Sequence, residues 1–169
     1  MRKLGTVVLV LTFCSIGWAQ RAGHDRSPGE VYLGYSLLDG DTLSKASGFE
    51  VTLMGNVNDW LGLKADFGGN YRSDGPVHAH ELNVLFGPQV SDHLDRLNLF
   101  VHGLIGIAHF GGNVPSDTGA AWVLGGGADY DLNRSFAVRV AQLDYHGGHV
   151  FGATQKDFRF SAGLIFRFR

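Results

Sequence analysis

The chain has 169 residues, with 14 basic and 16 acidic side chains, 25 glycines, 4 prolines and a single cysteine. A formal charge of −2 is too near balance for a nucleic-acid-binding surface, and one cysteine excludes a disulfide-stapled fold. Glycine scattered through alternating segments, without a low-complexity run, points to strands and turns rather than disorder.

Arg2 and Lys3 form a positive start, Leu4 to Ile16 is mostly apolar, and Gly17-Trp18-Ala19 is a small-x-small cleavage site, so residues 1–19 read as a signal peptide. A lipoprotein reading at Cys14 fits poorly, because bulky Phe13 stands directly before it. Cleavage after Ala19 removes Cys14, and with it any thiol chemistry. It also leaves 12 basic against 16 acidic residues, a charge of −4. Residues 20–28 form a short polar leader, and a barrel domain follows over 29–169.

From Glu30 the chain alternates. Val31, Leu33, Tyr35 and Leu37 oppose Glu30, Tyr32, Gly34 and Ser36 in a first strand over 30–38. After a polar loop, Asp39 to Ala46, the residues Phe49, Val51, Leu53 and Val57 alternate with Glu50, Thr52 and Asn56. Asn58-Asp59 reverses the chain. The third strand, Trp60 to Tyr71, sets Leu61, Leu63, Ala65 and Phe67 against Gly62, Lys64, Asp66 and Gly68. A loop at Ser73-Asp74-Gly75-Pro76 precedes the fourth, His78 to Val90, and a polar turn, Ser91 to Arg96, precedes the fifth, Leu97 to Phe110. The fifth puts Phe100 and Leu104 on one parity with Asn98 and His102. Gly111 to Gly119 reads as a second long loop. Trp122 to Tyr130 and Phe136 to Ala141 are the sixth and seventh strands, turned by Leu132-Asn133-Arg134. His146 to Lys156 is the last loop, and Asp157 to Arg169 the last strand, with six apolar residues from Phe158 to Phe168 opposing Arg159, Arg167 and Arg169.

No stretch after Ala19 is long and apolar enough for a spanning helix, so a membrane-crossing chain of this pattern must close into a barrel. A soluble eight-stranded barrel or sandwich would use the same alternation with the faces exchanged. Two details argue for lipid outside. The polar parity carries charge and is crowded with glycine, as inside a narrow barrel. Aromatics (Tyr35, Trp60, Tyr71, Phe110, Trp122, Tyr130) cluster near strand ends, where interfacial girdles lie. The expected fold is all-β, an eight-stranded antiparallel up-and-down transmembrane β-barrel, with short turns on one rim and long loops outside the cell.

Ser161-x-Gly163-x-x-Phe166-x-Phe168 resembles the C-terminal signal that hands outer-membrane barrels to their assembly machinery, with Arg169 following the usual last aromatic. Gly163, Phe166 and Phe168 are its expected carriers. From Glu30 to Arg169 the chain resembles the small OmpA/OprF-type outer-membrane β-barrel domain, most clearly in Gly125-Gly126-Gly127-Ala128-Asp129-Tyr130 and from Ala137-Val138-Arg139 through Asp144-Tyr145. The resemblance implies a bacterial outer-membrane location, with membrane lipid, lipopolysaccharide and the assembly machinery as partners. Larger members carry a peptidoglycan-binding domain after the barrel. Here the sequence stops at the last strand, so cell-wall tethering is not implied.

Inward parity gathers Glu30, Glu50, Asp66, Glu81 and Asp129 against Lys64, Arg139, Arg159 and Arg167. The expected lumen network is Glu50 with Lys64 and Asp129 with Arg139, and Arg139 is its expected hub, reaching also toward Glu50. An eight-stranded barrel is filled by its own side chains, and Phe100, Leu104 and Ile165 narrow it further. A structural, envelope-integrity or surface-interaction role follows. The alternative is a lipid-modifying enzyme of the lipid A deacylase or acyltransferase type. The deacylase type uses a His-x-Ser pair, whereas His78 precedes Ala79-His80 and His149 precedes Val150-Phe151. No grouping proposes an activated nucleophile, so no catalytic residue is expected. His78 and His80 share a strand face, with His109, His146 and His149 expected near the same rim. Without a completing cysteine or carboxylate they read as interfacial residues facing headgroups, and neither metal nor cofactor is expected.

Overall fold

A computed structural model describes residues 27–40, 45–74, 77–113, 116–150 and 153–168; the expected signal peptide and most of the expected leader lie outside the described residues. Eight strands follow in order: β1 (Gly29–Gly40), β2 (Ala46–Asn56), β3 (Leu61–Asp74), β4 (Val77–Leu94), β5 (Leu97–Gly112), β6 (Asp117–Asp131), β7 (Phe136–Val150) and β8 (Ala153–Phe168). Each pairs antiparallel with the next, and β8 pairs with β1 from Gly29↔Phe168 to Gly40↔Asp157, so the sheet closes. A closed sheet leaves no unpaired edge, as a bilayer requires of strands.

The faces settle which medium the barrel was built for. Leu63, Val101 and Ile105 on the outer face are 58%, 61% and 62% exposed, while Lys64, Asp66 and Arg159 are buried inside. A water-soluble barrel reverses this arrangement; apolar outside and charged inside suits lipid. Tyr35, Trp60, Tyr71, Trp122 and Tyr130 are exposed near the rims, as girdle residues should be. Phe110 is an exception to the expectation. It shares the inward parity of β5 and is buried against Ala108, where it fills the lumen end instead of meeting headgroups.

The turns beside the chain termini repeat one device. Asn58 Oδ1 accepts from the amides of Trp60 and Leu61 at 3.0 and 2.7 Å, and Asn133 Oδ1 accepts from Ser135 and Phe136, both at 2.9 Å. The side chain thus substitutes for a backbone acceptor in the reversal. Asp95 makes the third of these turns with φ +54°, and β4 runs to Leu94, so the turn expected over 91–96 shrinks to Asp95-Arg96.

The long loops expected on the opposite rim are largely strand. β6 begins at Asp117, β7 continues to Val150 and β8 begins at Ala153, so only residues 151–152 of the expected His146–Lys156 loop lie outside the ladder and outside the described residues. The polar residues there pair across hairpins (Gly147↔Lys156, Gly148↔Gln155), and the backbone ladder has no need of an apolar face once it leaves lipid. The asymmetry of the rims therefore lies in strand extension. At the terminal rim Phe136 and Phe168 are the end residues of their strands, whereas β6 continues past Trp122 and β7 past Tyr145. This longer side, the far rim, corresponds to the outside of outer-membrane barrels.

One irregularity controls the interior. Along β7 the pairing steps from Ala128↔Ala141 to Asp129↔Arg139, and from Gln142↔Ser161 to Arg139↔Gly163. The extra residue is a β-bulge, which switches parity. Ala137 and Arg139 point inward before it, and Gln142, Asp144 and His146 point inward after it, while Val140 and Leu143 face out.

Candidate functional site

The site is the lumen itself. Glycines on the inward parity make room for large side chains to lie flat along the wall. A Cβ at Gly68 would stand 3.0 Å from Arg159 Nη1, and one at Gly125 would stand 2.0 Å from Asp144 Oδ1 and 2.9 Å from His102 Nε2. The glycine crowding seen in the sequence is thus the cradle of the network.

Arg159, from β8, is completely buried at its centre. Its Nη2 lies 2.6 Å from Asp66 Oδ2, 2.7 Å from Asp144 Oδ2 and 3.6 Å from Glu50 Oε1, and its Nε donates to Asp144 Oδ2 at 3.1 Å. Carboxylate oxygens of Glu50, Asp66 and Asp144 all lie within 4.8 Å of one another. That donor set has the chemistry of a hard-cation site, but the guanidinium occupies it. Lys64 Nζ stands 3.6 Å from Glu50 Oε1 and 3.5 Å from His102 Nδ1, and His102 Nε2 stands 3.0 Å from Asp144 Oδ1.

Nearer the terminal rim is a second cluster. Arg139 Nε donates to Asp129 Oδ1 at 2.7 Å and its Nη2 to Asp129 Oδ2 at 3.2 Å, a two-pronged pair; Asn98 donates to the same carboxylate at 3.3 Å. The guanidinium carbon lies 4.3 Å from the Tyr32 ring and 4.2 Å from the Phe100 ring, sandwiched between two π faces. Gln142 joins the clusters: its Oε1 accepts from Arg139 Nη1 at 2.6 Å, and its Nε2 donates to Glu50 at 2.9 Å and Asp144 at 2.6 Å. At the rim, Arg167 reaches Glu30 at 3.1 Å and Asp131 at 2.7 Å. The cavity beside Arg139, lined by Glu30, Tyr32, Thr52, Met54, Gln89 and Ile165, measures about 10 Å³, room for about one water.

The structure brings Glu50 to Lys64 and Asp129 to Arg139. It corrects the expected hub: Arg159 holds three carboxylates, while Arg139 holds one and reaches Glu50 only through Gln142. Sequence reasoning missed Gln142, Asp144 and His102. For the first two a signal was present, because Val140 and Leu143 are three apart where a regular strand spaces its apolar residues by two. His146, expected near the rim, is buried inside by the same bulge, and the His149 side chain lies outside the described residues.

Of the three residues read as an assembly signal, Phe168 is exposed at the end of β8, its carbonyl accepting from Ser27 Oγ. Phe166 packs edge-on against Phe136 at 5.0 Å. Gly163 faces Gly34 across the β1–β8 seam, and a Cβ there would come within 2.2 Å of Leu33 O, so close strand packing alone demands a glycine.

Known proteins bear on this geometry. Among solved structures the chain is similar to Neisserial surface protein A (13% identity, 84% of this chain and 98% of that one, TM-score 0.68). It is similar also to Ail, the attachment invasion locus protein of Yersinia pestis (17%, 83% and 99%, 0.55), and to the N-terminal β-barrel domain of Pseudomonas aeruginosa OprF (15%, 83% and 100%, 0.52). At such identities the likeness carries the fold. No curated protein matches significantly in sequence. The family model described as outer membrane protein beta-barrel domain matches residues 6–168, so this chain, apolar toward lipid and charged within, belongs to that family and is a protein of the bacterial outer membrane.

Proposed function

We propose that this protein is a structural and surface-interaction element of the outer membrane: a rigid barrel, closed to permeation, whose far rim is its working surface. One observation carries the reading. The lumen is spanned by an ion-pair network from Arg159 to Arg139, with space for about one water beside it. Buried charges tied to partners in this way are expensive to disturb, so they suit a fixed plug better than a permeation path. The same pairing argues against catalysis, since the lumen carboxylates and His102 are engaged with one another instead of facing a substrate cleft. The partners fitting such a barrel are outer-leaflet lipid, lipopolysaccharide and whatever meets the far rim, with the assembly machinery acting through Phe168 during biogenesis.

Planar-bilayer recording of the reconstituted barrel, together with incubation on purified lipid A, tests this reading. No steady conductance and no change in lipid A are expected, while a deletion strain should lose resistance to detergents or bile salts. A reproducible open channel, or hydrolysis or acyl transfer on lipid A, would overturn it.

A further inference from the structure

Outside the lumen, the outer surface of the barrel carries a run of rings near the far rim. Phe49 stacks on Tyr71 at 6.4 Å between centroids, Tyr71 neighbours His80 at 6.2 Å, and His80 neighbours His109 at 6.4 Å. The two histidines come from different strands, β4 and β5, and sit diagonally across the ladder, with His80 opposite Gly111 and His109 opposite Leu82. Both lie close to the ends of their strands. The pair suggested by the sequence, His78 with His80, is not the one that converges: His78 Nδ1 is 3.0 Å from Ser73 Oγ on β3.

Between the two rings is a gap made by a missing side chain. A Cβ at Gly111 would lie 3.1 Å from His80 Nε2 and 3.5 Å from His109 Nε2. Two imidazole nitrogens thus approach one point that glycine leaves open. On the other side of its ring, His109 Nδ1 is 2.7 Å from Thr118 Oγ1 on β6. An Nδ1–H donating to that hydroxyl leaves the Nε2 lone pair toward the gap, which is how metal-binding histidines are held by a neighbour on their far nitrogen. Tyr71 braces His80 from the side away from His109. His109 is exposed and His80 half-buried, so water reaches the remaining positions around the point.

We propose that His80 and His109 form a surface site for a divalent first-row transition metal, copper(II) before nickel or zinc. Two imidazoles and open, water-held positions suit these ions, and copper is the tightest of the series for a given nitrogen set. Such a site would hold a cation at the cell surface with positions free for a donor from outside. The site is independent of the plugged-lumen reading, because no residue of it enters the lumen.

The test uses the untagged barrel in neutral detergent micelles, titrated with copper(II) chloride and followed by calorimetry and electron paramagnetic resonance. One equivalent is expected, with hyperfine structure from two nitrogens. His80→Gln and His109→Gln should each abolish that equivalent. Thr118→Val should weaken it by about tenfold or more, the usual cost of losing such a supporting bond. Gly111→Ala, whose Cβ fills the gap and crowds both ligand nitrogens without replacing either ligand, should weaken it too, while His78→Gln and, at the other end of β4, His93→Gln should leave it unchanged. Heat-modifiable gel mobility verifies that each variant is folded. No binding by the wild type would overturn the proposal, as would binding unaffected by His80→Gln and His109→Gln. Loss in His78→Gln equal to that in His80→Gln would do so as well, since the ligands would then lie along one strand.

Discussion

Arg159→Met is the perturbation that most directly tests whether the lumen is a dry, paired network. The guanidinium lies 2.6, 2.7 and 3.6 Å from three carboxylates that are themselves within 4.8 Å of one another. Removing one partner of a single buried pair costs roughly 3–5 kcal/mol. Here two or three pairs are lost at once. At an effective dielectric of about 20, two carboxylates at that separation also repel by about 3 kcal/mol. Lys64, 3.6 Å from Glu50, offsets part of this. The expected loss is therefore at least about 5 kcal/mol, comparable with the whole stability of many domains. The assay is urea unfolding from phospholipid vesicles, followed by tryptophan fluorescence. Arg159→Lys, which keeps a charge but not the fork, should fall between Arg159→Met and wild type. Adding Asp66→Asn to Arg159→Met should recover stability through a favourable coupling. A loss below about 1 kcal/mol for Arg159→Met, the worth of a solvated pair, would refute the reasoning and imply a water-filled interior.

Arg139→Ala should cost roughly 3 kcal/mol or more, less than Arg159→Met, and a double-mutant cycle in vesicles should show coupling to Asp129→Ala. Gly125→Ala should cost about 1–3 kcal/mol in the same assay, because its Cβ would displace Asp144 from Arg159, whereas Gly103→Ala, whose Cβ would meet only Leu124 at 3.3 Å, should stay within about 1 kcal/mol of wild type. Phe168→Ala should lower the assembled fraction in cells more than the equally lipid-exposed Leu63→Ala, read from heat-modifiable bands in outer-membrane fractions; equal assembly of the two would remove the signal role.

Where a strand keeps strict alternation, its residues declare their environment. Glu50, Lys64 and Arg159 could be placed inside, and Leu63 and Phe158 outside, from parity alone, because one face meets lipid and the other cannot. Three things went unread. Strand ends beyond the hydrocarbon carry no alternation of hydrophobicity, so the β7–β8 hairpin read as a loop although its backbone stays paired to Val150↔Ala153. The bulge after Arg139 was the second, although the three-residue step from Val140 to Leu143 marks it. With the seventh strand ended at Ala141, Gln142 and Asp144 lay outside the pattern and His146 in a loop, and with Asp144 missing Arg159 had no reason to outrank Arg139. Which of several inward charges share a depth depends on the stagger around the barrel, which no single strand encodes.

That stagger gives the network a consequence for assembly. Arg159 stands on β8, yet its carboxylates come from β2, β3 and β7, and Arg167 of β8 holds Glu30 of β1. In an open sheet β8 has β7 beside it and the full width of the sheet between it and β2 or β3. Asp144 could then still reach Arg159, and Glu50 could keep Lys64 of the neighbouring β3, but Asp66 would lose its guanidinium and meet lipid or solvent. Only when β1 and β8 pair do Asp66 and Glu30 find their arginines and Glu50 its second cation, so closure of the backbone ladder completes the neutralisation of the lumen. An unclosed barrel within the bilayer carries both penalties, unpaired edges and unpaired charges. This separates the tasks of two residues on one strand. On the proposed reading Phe168 acts on how many chains are delivered, and Arg159 on whether a delivered chain prefers to be closed. Phe168→Ala should accordingly yield fewer barrels of undiminished stability, and Arg159→Met barrels that unfold at lower urea however many are made.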